Sequence, residues 1–236
     1  MIRFYAPDIA TSGELPESDS GHAVRVLRMR EGDALEAVDG RGKLYHCVLR
    51  EASPRRATVE IVNVEELPRV WPAPVTVAVA PTKNIDRMEW LVEKLTEIGV
   101  DRIVMLRCRY SERKNVNLDR LNKIAVSAMK QSLKAWLPVI EDMTPVNDYI
   151  GSEKSAQRFI AYCDPSLPRK LMAREYRPGE STAILIGPEG DFSREEITTA
   201  LEAGWTPVSL GDNRLRTETA ALVACDTCHI INQRCL

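Results

Sequence analysis

Histidine is scarce. Only His22, His46 and His229 occur in 236 residues, and none stands at ligand spacing to other candidate donors, so no metal-centre pattern is visible. No apolar run approaches the roughly 20 residues needed to cross a bilayer as a helix. The first residues, Met1-Ile2-Arg3-Phe4-Tyr5-Ala6-Pro7, have no apolar signal core and no small-residue cleavage site, so a cytoplasmic protein is expected. Neither G-x-G-x-x-G nor G-x-x-x-x-G-K-[ST] is present, which argues against nicotinamide and P-loop enzymes. An excess of one charge is also missing. With 32 Lys/Arg against 34 Asp/Glu the net charge is −2, so the whole chain is not a basic nucleic-acid binder.

The charge that is present is unevenly placed. Between Pro81 and Ile140, twelve Lys/Arg face seven Asp/Glu, enough for a local basic face that could bind phosphate or simply be solvated. A hydrophobic content of 44% and a length suited to two domains describe an ordinary globular protein. The six cysteines, Cys47, Cys108, Cys163, Cys225, Cys228 and Cys235, are expected to be reduced thiols.

Patterning divides the chain. Up to about Leu67, the runs Ala34–Val38, Leu44–Leu49 and Ala57–Val64 are short strands separated by turn residues, which predicts a compact β-barrel. Three prolines in Leu67–Pro74 make a linker. Strands then alternate with helices. Val75–Ala80, Ile103–Cys108, Phe159–Cys163, Ala183–Ile186 and Val208–Leu210 are strands, while Asp86–Ile98 and Leu118–Trp136 are amphipathic helices. This alternation predicts a mostly parallel sheet covered by helices.

Two loops follow strands where α/β proteins bind ligands. In the first, Gly187-Pro188-Glu189-Gly190 runs into a helix opened by a capping box of Ser193 and Glu196. In the second, Gly211 is followed by a dense polar stretch to Thr219, with Thr217 as a helix N-cap. From local sequence alone each is either a ligand loop or a plain connection. Cys225-Asp226-Thr227-Cys228-His229 matches a haem-attachment or redox pattern, but it lies in an apolar helical run, so buried helix cysteines are expected. In His22–Arg30, Arg25 and Arg28 are three apart and would share a helical face able to grip RNA phosphates.

Taken together, the motifs resemble the ribosomal RNA uridine N3-methyltransferases of the RsmE type, within the SPOUT superfamily. The resemblance rests on His22–Arg28, Lys94 with Glu97-Ile98-Gly99-Val100, Gln131-Ser132 with Pro138, Leu185–Gly190, and Leu210-Gly211 with Leu215–Ala220. It implies a PUA-like RNA-binding barrel over residues 1–68 and, over 74–236, an α/β methyltransferase domain with a trefoil knot. It also implies a homodimer, a small-subunit ribosomal RNA substrate, and S-adenosylmethionine held by the knot loops. Carried over, the cofactor residues are Leu185, Ile186, Gly187, Pro188, Glu189, Gly190, Leu210, Gly211, Leu215, Arg216, Thr217 and Thr219. Arg216 is the candidate cation beside the uracil anion and Glu218 the candidate base. Arg25, Arg28, Lys83, Arg109, Arg113 and Lys130 are candidate RNA contacts. The chain departs from the family pattern at Lys130, where many members have Glu, at Asp191, where Gly is usual, and at Asn213-Arg214, where Arg-Ile is usual. The alternative from another class is an RNA-binding ribosome-assembly factor with the same fold and no catalysis.

Overall fold

The computed structural model describes residues 3–164 and 166–234; Cys235, one of the expected reduced thiols, lies outside the described residues. Two compact units are present. One holds the chain up to Arg69 together with Val126–Leu137, and the other holds Val70–Ala125 with the chain from Pro138 onward.

The first unit is built on β1 (Arg3–Tyr5), β2 (Ala34–Val38), β3 (Lys43–Glu51) and β4 (Thr58–Glu66), in spatial order β1-β2-β3-β4. β1 runs parallel to β2, and the other pairs are antiparallel. The three strands expected from sequence are β2, β3 and β4. Along β3, Tyr45, Cys47 and Leu49 alternate into a core with Phe4, Ile9 and Leu35, as a half-buried strand requires. Two short helices, α1 (Ile9–Ser12) and α2 (Glu17–Gly21), precede a π-helical turn over His22–Val26. That turn corrects the expected arginine face. The amide of Leu27 bonds to the carbonyl of His22, and Arg28 has a left-handed backbone (φ 56°), so Arg25 and Arg28 do not continue one α-helical surface.

In the second unit, β5 (Val75–Val79), α3 (Ile85–Ile98) and β6 (Arg102–Arg107) precede α4 (Leu118–Gln131), whose residues from Val126 onward belong to the first unit. β7 (Val139–Pro145), α5 (Val146–Ser152), β8 (Gln157–Ala161), β9 (Lys170–Leu171) and α6 (Met172–Glu175) follow. The chain then forms β10 (Thr182–Ile186), α7 (Arg194–Glu202), β11 (Thr206–Ser209) and α8 (Thr217–Arg234). The strands lie in the order β7-β6-β5-β10-β8-β11-β9, and every described ladder is parallel. β5 and β10 are buried along their whole length, which is why they are continuous apolar runs rather than alternating ones.

Helix α4 is shorter than its periodicity predicts. It ends at Gln131, and Leu133 turns the chain with a positive φ of 55°. The apolar residues beyond it keep their pattern for another reason. Ala135 and Leu137 pack with Met129 against Val38 and Leu44, and the Trp136 indole donates to the carbonyl of Leu67 at 2.8 Å. The prolines before β5 do break regular structure, but Trp71 there is buried, and its indole donates to Asp101 Oδ2 at 2.8 Å. Cys225 and Cys228 are buried in α8 as expected. Burial pushes the Cys225 thiol far above its ordinary pKa and Cys228 up to about 12, so neither is a ready thiolate.

Candidate cofactor and catalytic site

Because β8 is hydrogen-bonded to β10 on one side and β11 on the other, the loops leaving their carboxyl ends emerge side by side. Between them is a cavity of about 460 Å³, within the size range of small-molecule sites. Ile186, Gly187 and Pro188 form one wall; Leu215, Arg216, Thr217 and Glu218 form another. The structure therefore brings the two glycine-containing loops together.

The walls are tied by specific bonds. Thr217 is the first residue of α8 and not the expected N-cap before it; its hydroxyl donates to the carbonyl of Gly187 at 3.2 Å, so Thr217 links the two loops. Gly187 is needed for close packing. A Cβ there would stand 3.1 Å from the Phe192 ring and 3.2 Å from the Phe192 amide nitrogen. Glu189, the conspicuous acid of the first loop, is exposed, and its Oε1 accepts from the Lys83 amide at 3.0 Å. The expected capping box is present. Ser193 Oγ accepts from the Glu196 amide at 3.2 Å, and Glu196 Oε2 accepts from the Ser193 amide at 2.8 Å. The second carboxylate oxygen of Glu196 accepts from the Arg109 amide at 2.7 Å, fixing the loop after β6 to α7.

Glu218 and Arg216 differ from these structural groups. Glu218 is 7% exposed; its Oε1 lies 3.7 Å from Arg87 Nε, while its Oε2 is buried and accepts no hydrogen bond among the described residues. A buried carboxylate oxygen without a donor is costly unless something else satisfies it. The Arg216 side chain is exposed at the cavity, and no described hydrogen bond or ion pair occupies its guanidinium.

The remaining assigned positions separate. Gly190 and Gly211 border a second space of about 950 Å³, which shares Cys163, Glu189, Asp191 and Arg214 with the first. Leu210 borders a small space of about 70 Å³ beside them. Leu185 packs in the hydrophobic core, and neither it nor Thr219 lines these cavities. Arg87, Ala161, Cys163, Asp191, Arg214 and Ala220 line the first cavity without having been singled out for it. Ala161 and Cys163 follow from the rule that pointed to the other loops, since they end or follow β8. Arg87, from α3, is placed there only by the fold.

Several expected RNA contacts are already engaged. Lys130 Nζ is 2.7 Å from Asp19 Oδ1. Lys83 Nζ pairs with Glu112 at 3.0 Å. The Arg113 guanidinium donates to the carbonyls of Thr82 at 3.0 Å and Lys83 at 2.5 Å, holding the loop after β5. Arg25, Arg28 and Arg109 are exposed.

A parallel α/β unit with a cavity at the carboxyl ends of its strands, in one chain with a small β unit, has the form of an enzyme with an accessory binding module. Comparison with known proteins makes this specific. A family model described as an RNA methyltransferase domain matches residues 69–229, and one described as an RNA methyltransferase PUA domain matches residues 15–62. The ribosomal RNA small subunit methyltransferase E of Mycobacterium bovis is 29% identical, covering 98% of this chain and 92% of its own length. A crystal structure of a probable rRNA-methyltransferase from Porphyromonas gingivalis superposes with a TM-score of 0.94 at 47% identity, covering 100% of this chain and 99% of that one. The Neisseria gonorrhoeae ribosomal RNA small subunit methyltransferase E, solved bound to S-adenosyl methionine, gives a TM-score of 0.84 at 29% identity, with 98% of each chain covered. The chain belongs to the RNA methyltransferase family.

Proposed function

We propose that this chain transfers a methyl group from S-adenosylmethionine to N3 of a uridine in small-subunit ribosomal RNA. The observation that carries the reading is the convergence of Glu218 and the unengaged Arg216 side chain on the lining of one cavity. The residues present fit the cofactor. Ile186, Leu215, Ala161 and Ala220 offer apolar surface to a nucleoside, and Gly187 lets backbone approach closely. S-adenosylmethionine, when bound, supplies an electrophilic methyl on a sulfonium.

The chain's own groups then have two tasks. Uracil N3 carries a proton and is a poor nucleophile until it is lost. Glu218 accepts that proton, and Arg87, 3.7 Å from its Oε1, orients the carboxylate. Negative charge then spreads over the flanking uracil oxygens, where the Arg216 guanidinium stabilises it. The loop walls align the attack and exclude water.

The reading assigns RNA capture to residues 1–68, with Arg25 and Arg28 on phosphate, and methyl transfer to residues 74–236. It includes the knotted cofactor domain, a homodimer and a cytoplasmic site of action. No described helix is long and apolar enough to cross a membrane.

The deciding experiment is mass mapping of modified nucleotides in small-subunit RNA with and without the protein, where one N3-methyluridine should depend on it. Arg216→Ala should bind cofactor and RNA but lose about 100-fold or more in kcat. Full turnover by that variant would refute its role. Wild-type protein that binds RNA but no S-adenosylmethionine would make the chain a binding module instead.

A further inference from the structure

Asp191 is a further acid on the wall of the cavity, and its backbone and side chain are both unusual. It stands in the left-handed region at φ 66°, which few residues other than glycine adopt, Asp and Asn being among those that tolerate it. Its amide donates to the carbonyl of Pro188 at 2.9 Å and closes the turn. Its carboxylate is used twice more. Oδ1 accepts from the Phe192 amide at 2.8 Å, and Oδ2 accepts from the Cys163 amide at 2.7 Å.

The first of these bonds is local. The second crosses from the loop after β10 to the loop after β8, at the length of a charge-assisted hydrogen bond. Asp191 and Cys163 both line the 460 Å³ cavity and the 950 Å³ space beside it, so the bond lies in the wall the two share. Helix α7 does not need it, because Ser193 and Glu196 already cap that helix.

We propose that Asp191 is a positioning residue for the cofactor cavity: its carboxylate clasps the loop after β8 to the loop after β10 and fixes the wall between the donor cavity and the second space. The proposal rests on the reading of the first cavity as the S-adenosylmethionine site.

Glycine adopts φ 66° without strain, so Asp191→Gly removes the clasp and leaves the turn intact. That variant should fold with wild-type stability and bind S-adenosylmethionine about 10-fold more weakly by calorimetry. The KM for the donor should rise in step, with kcat changed far less. Asp191→Asn keeps an acceptor and tolerates the left-handed backbone, so it should recover most of the affinity.

A second readout needs no cofactor. Cys163 is exposed, and its thiol pKa is raised by partial burial and by the charge of Asp191. Alkylation of Cys163 by iodoacetamide, followed by peptide mapping, should therefore run faster in Asp191→Gly. A folded Asp191→Gly protein with wild-type cofactor affinity overturns the proposal. Wild-type protein that binds no S-adenosylmethionine overturns the reading beneath it, and Cys163 labelling then still reports whether the clasp exists.

Discussion

Glu153 shows how a single buried charge is kept in this protein. Burial opposes its ionisation. Hydrogen bonds from the Tyr149 hydroxyl at 2.7 Å and from the Ser155 amide and hydroxyl, both at 2.8 Å, outweigh that burial, together with the paired Arg102 guanidinium. They hold the Glu153 pKa below the usual carboxylate range. A depressed pKa contributes stability above the unfolded-state value, and that contribution is lost as pH falls through the folded value. Glu153→Gln should therefore cost about 2–3 kcal/mol at pH 7, and urea unfolding should show the deficit shrinking on acidification below about pH 4. None of this network was legible in the sequence, because Arg102 and Glu153 are brought together only by the sheet. The opposite holds for Gly187 and Thr217, whose positions at strand and helix ends marked them from residue order alone.

At the scale of elements, the most demanding junction is the end of α3. Gly99 has φ 125°, and a Cβ there would lie 2.6 Å from the buried Trp71 ring. Gly99→Ala thus combines backbone strain with overpacking and should lower stability by about 3 kcal/mol, seen as a lower urea midpoint with an unchanged slope. Helix ends of this kind were readable, since glycine stops a helix wherever a positive φ is needed. So was the capping box of α7. Two elements were misjudged for a shared reason. In Leu118–Trp136 and in His22–Arg28 the side-chain pattern fits an α-helix, yet Leu133 and Arg28 both hold a left-handed backbone. Packing against strands distant in sequence fixes those turns, and local periodicity carries no record of it. The strands β1, β7 and β9 escaped for a similar reason: β1 and β9 are only three and two residues long, and β7 carries mixed polar side chains on a partly exposed edge.

For the whole molecule, RNA affinity should be set by exposed cations and not by the basic count of the sequence. Arg25→Ala with Arg28→Ala should weaken RNA binding and lower the slope of log affinity against log salt by about 2 if both side chains meet phosphate. Lys130→Ala should leave that slope unchanged, because Asp19 already holds its ammonium. A filter-binding titration across salt concentrations separates the two, and a flat slope for the wild type would count against phosphate contacts altogether. The parallel order of the large sheet has one more effect, and it concerns how the protein is made. Its central strand β10 pairs with β5, Ile184 opposite Val77, although all the elements from α3 to α6 separate the two strands in sequence. Closing so long a loop costs entropy before any central contact repays it. A nascent chain can form β5, α3 and β6 early, but the middle of the sheet waits until β10 has left the ribosome, so this unit matures late and as a whole.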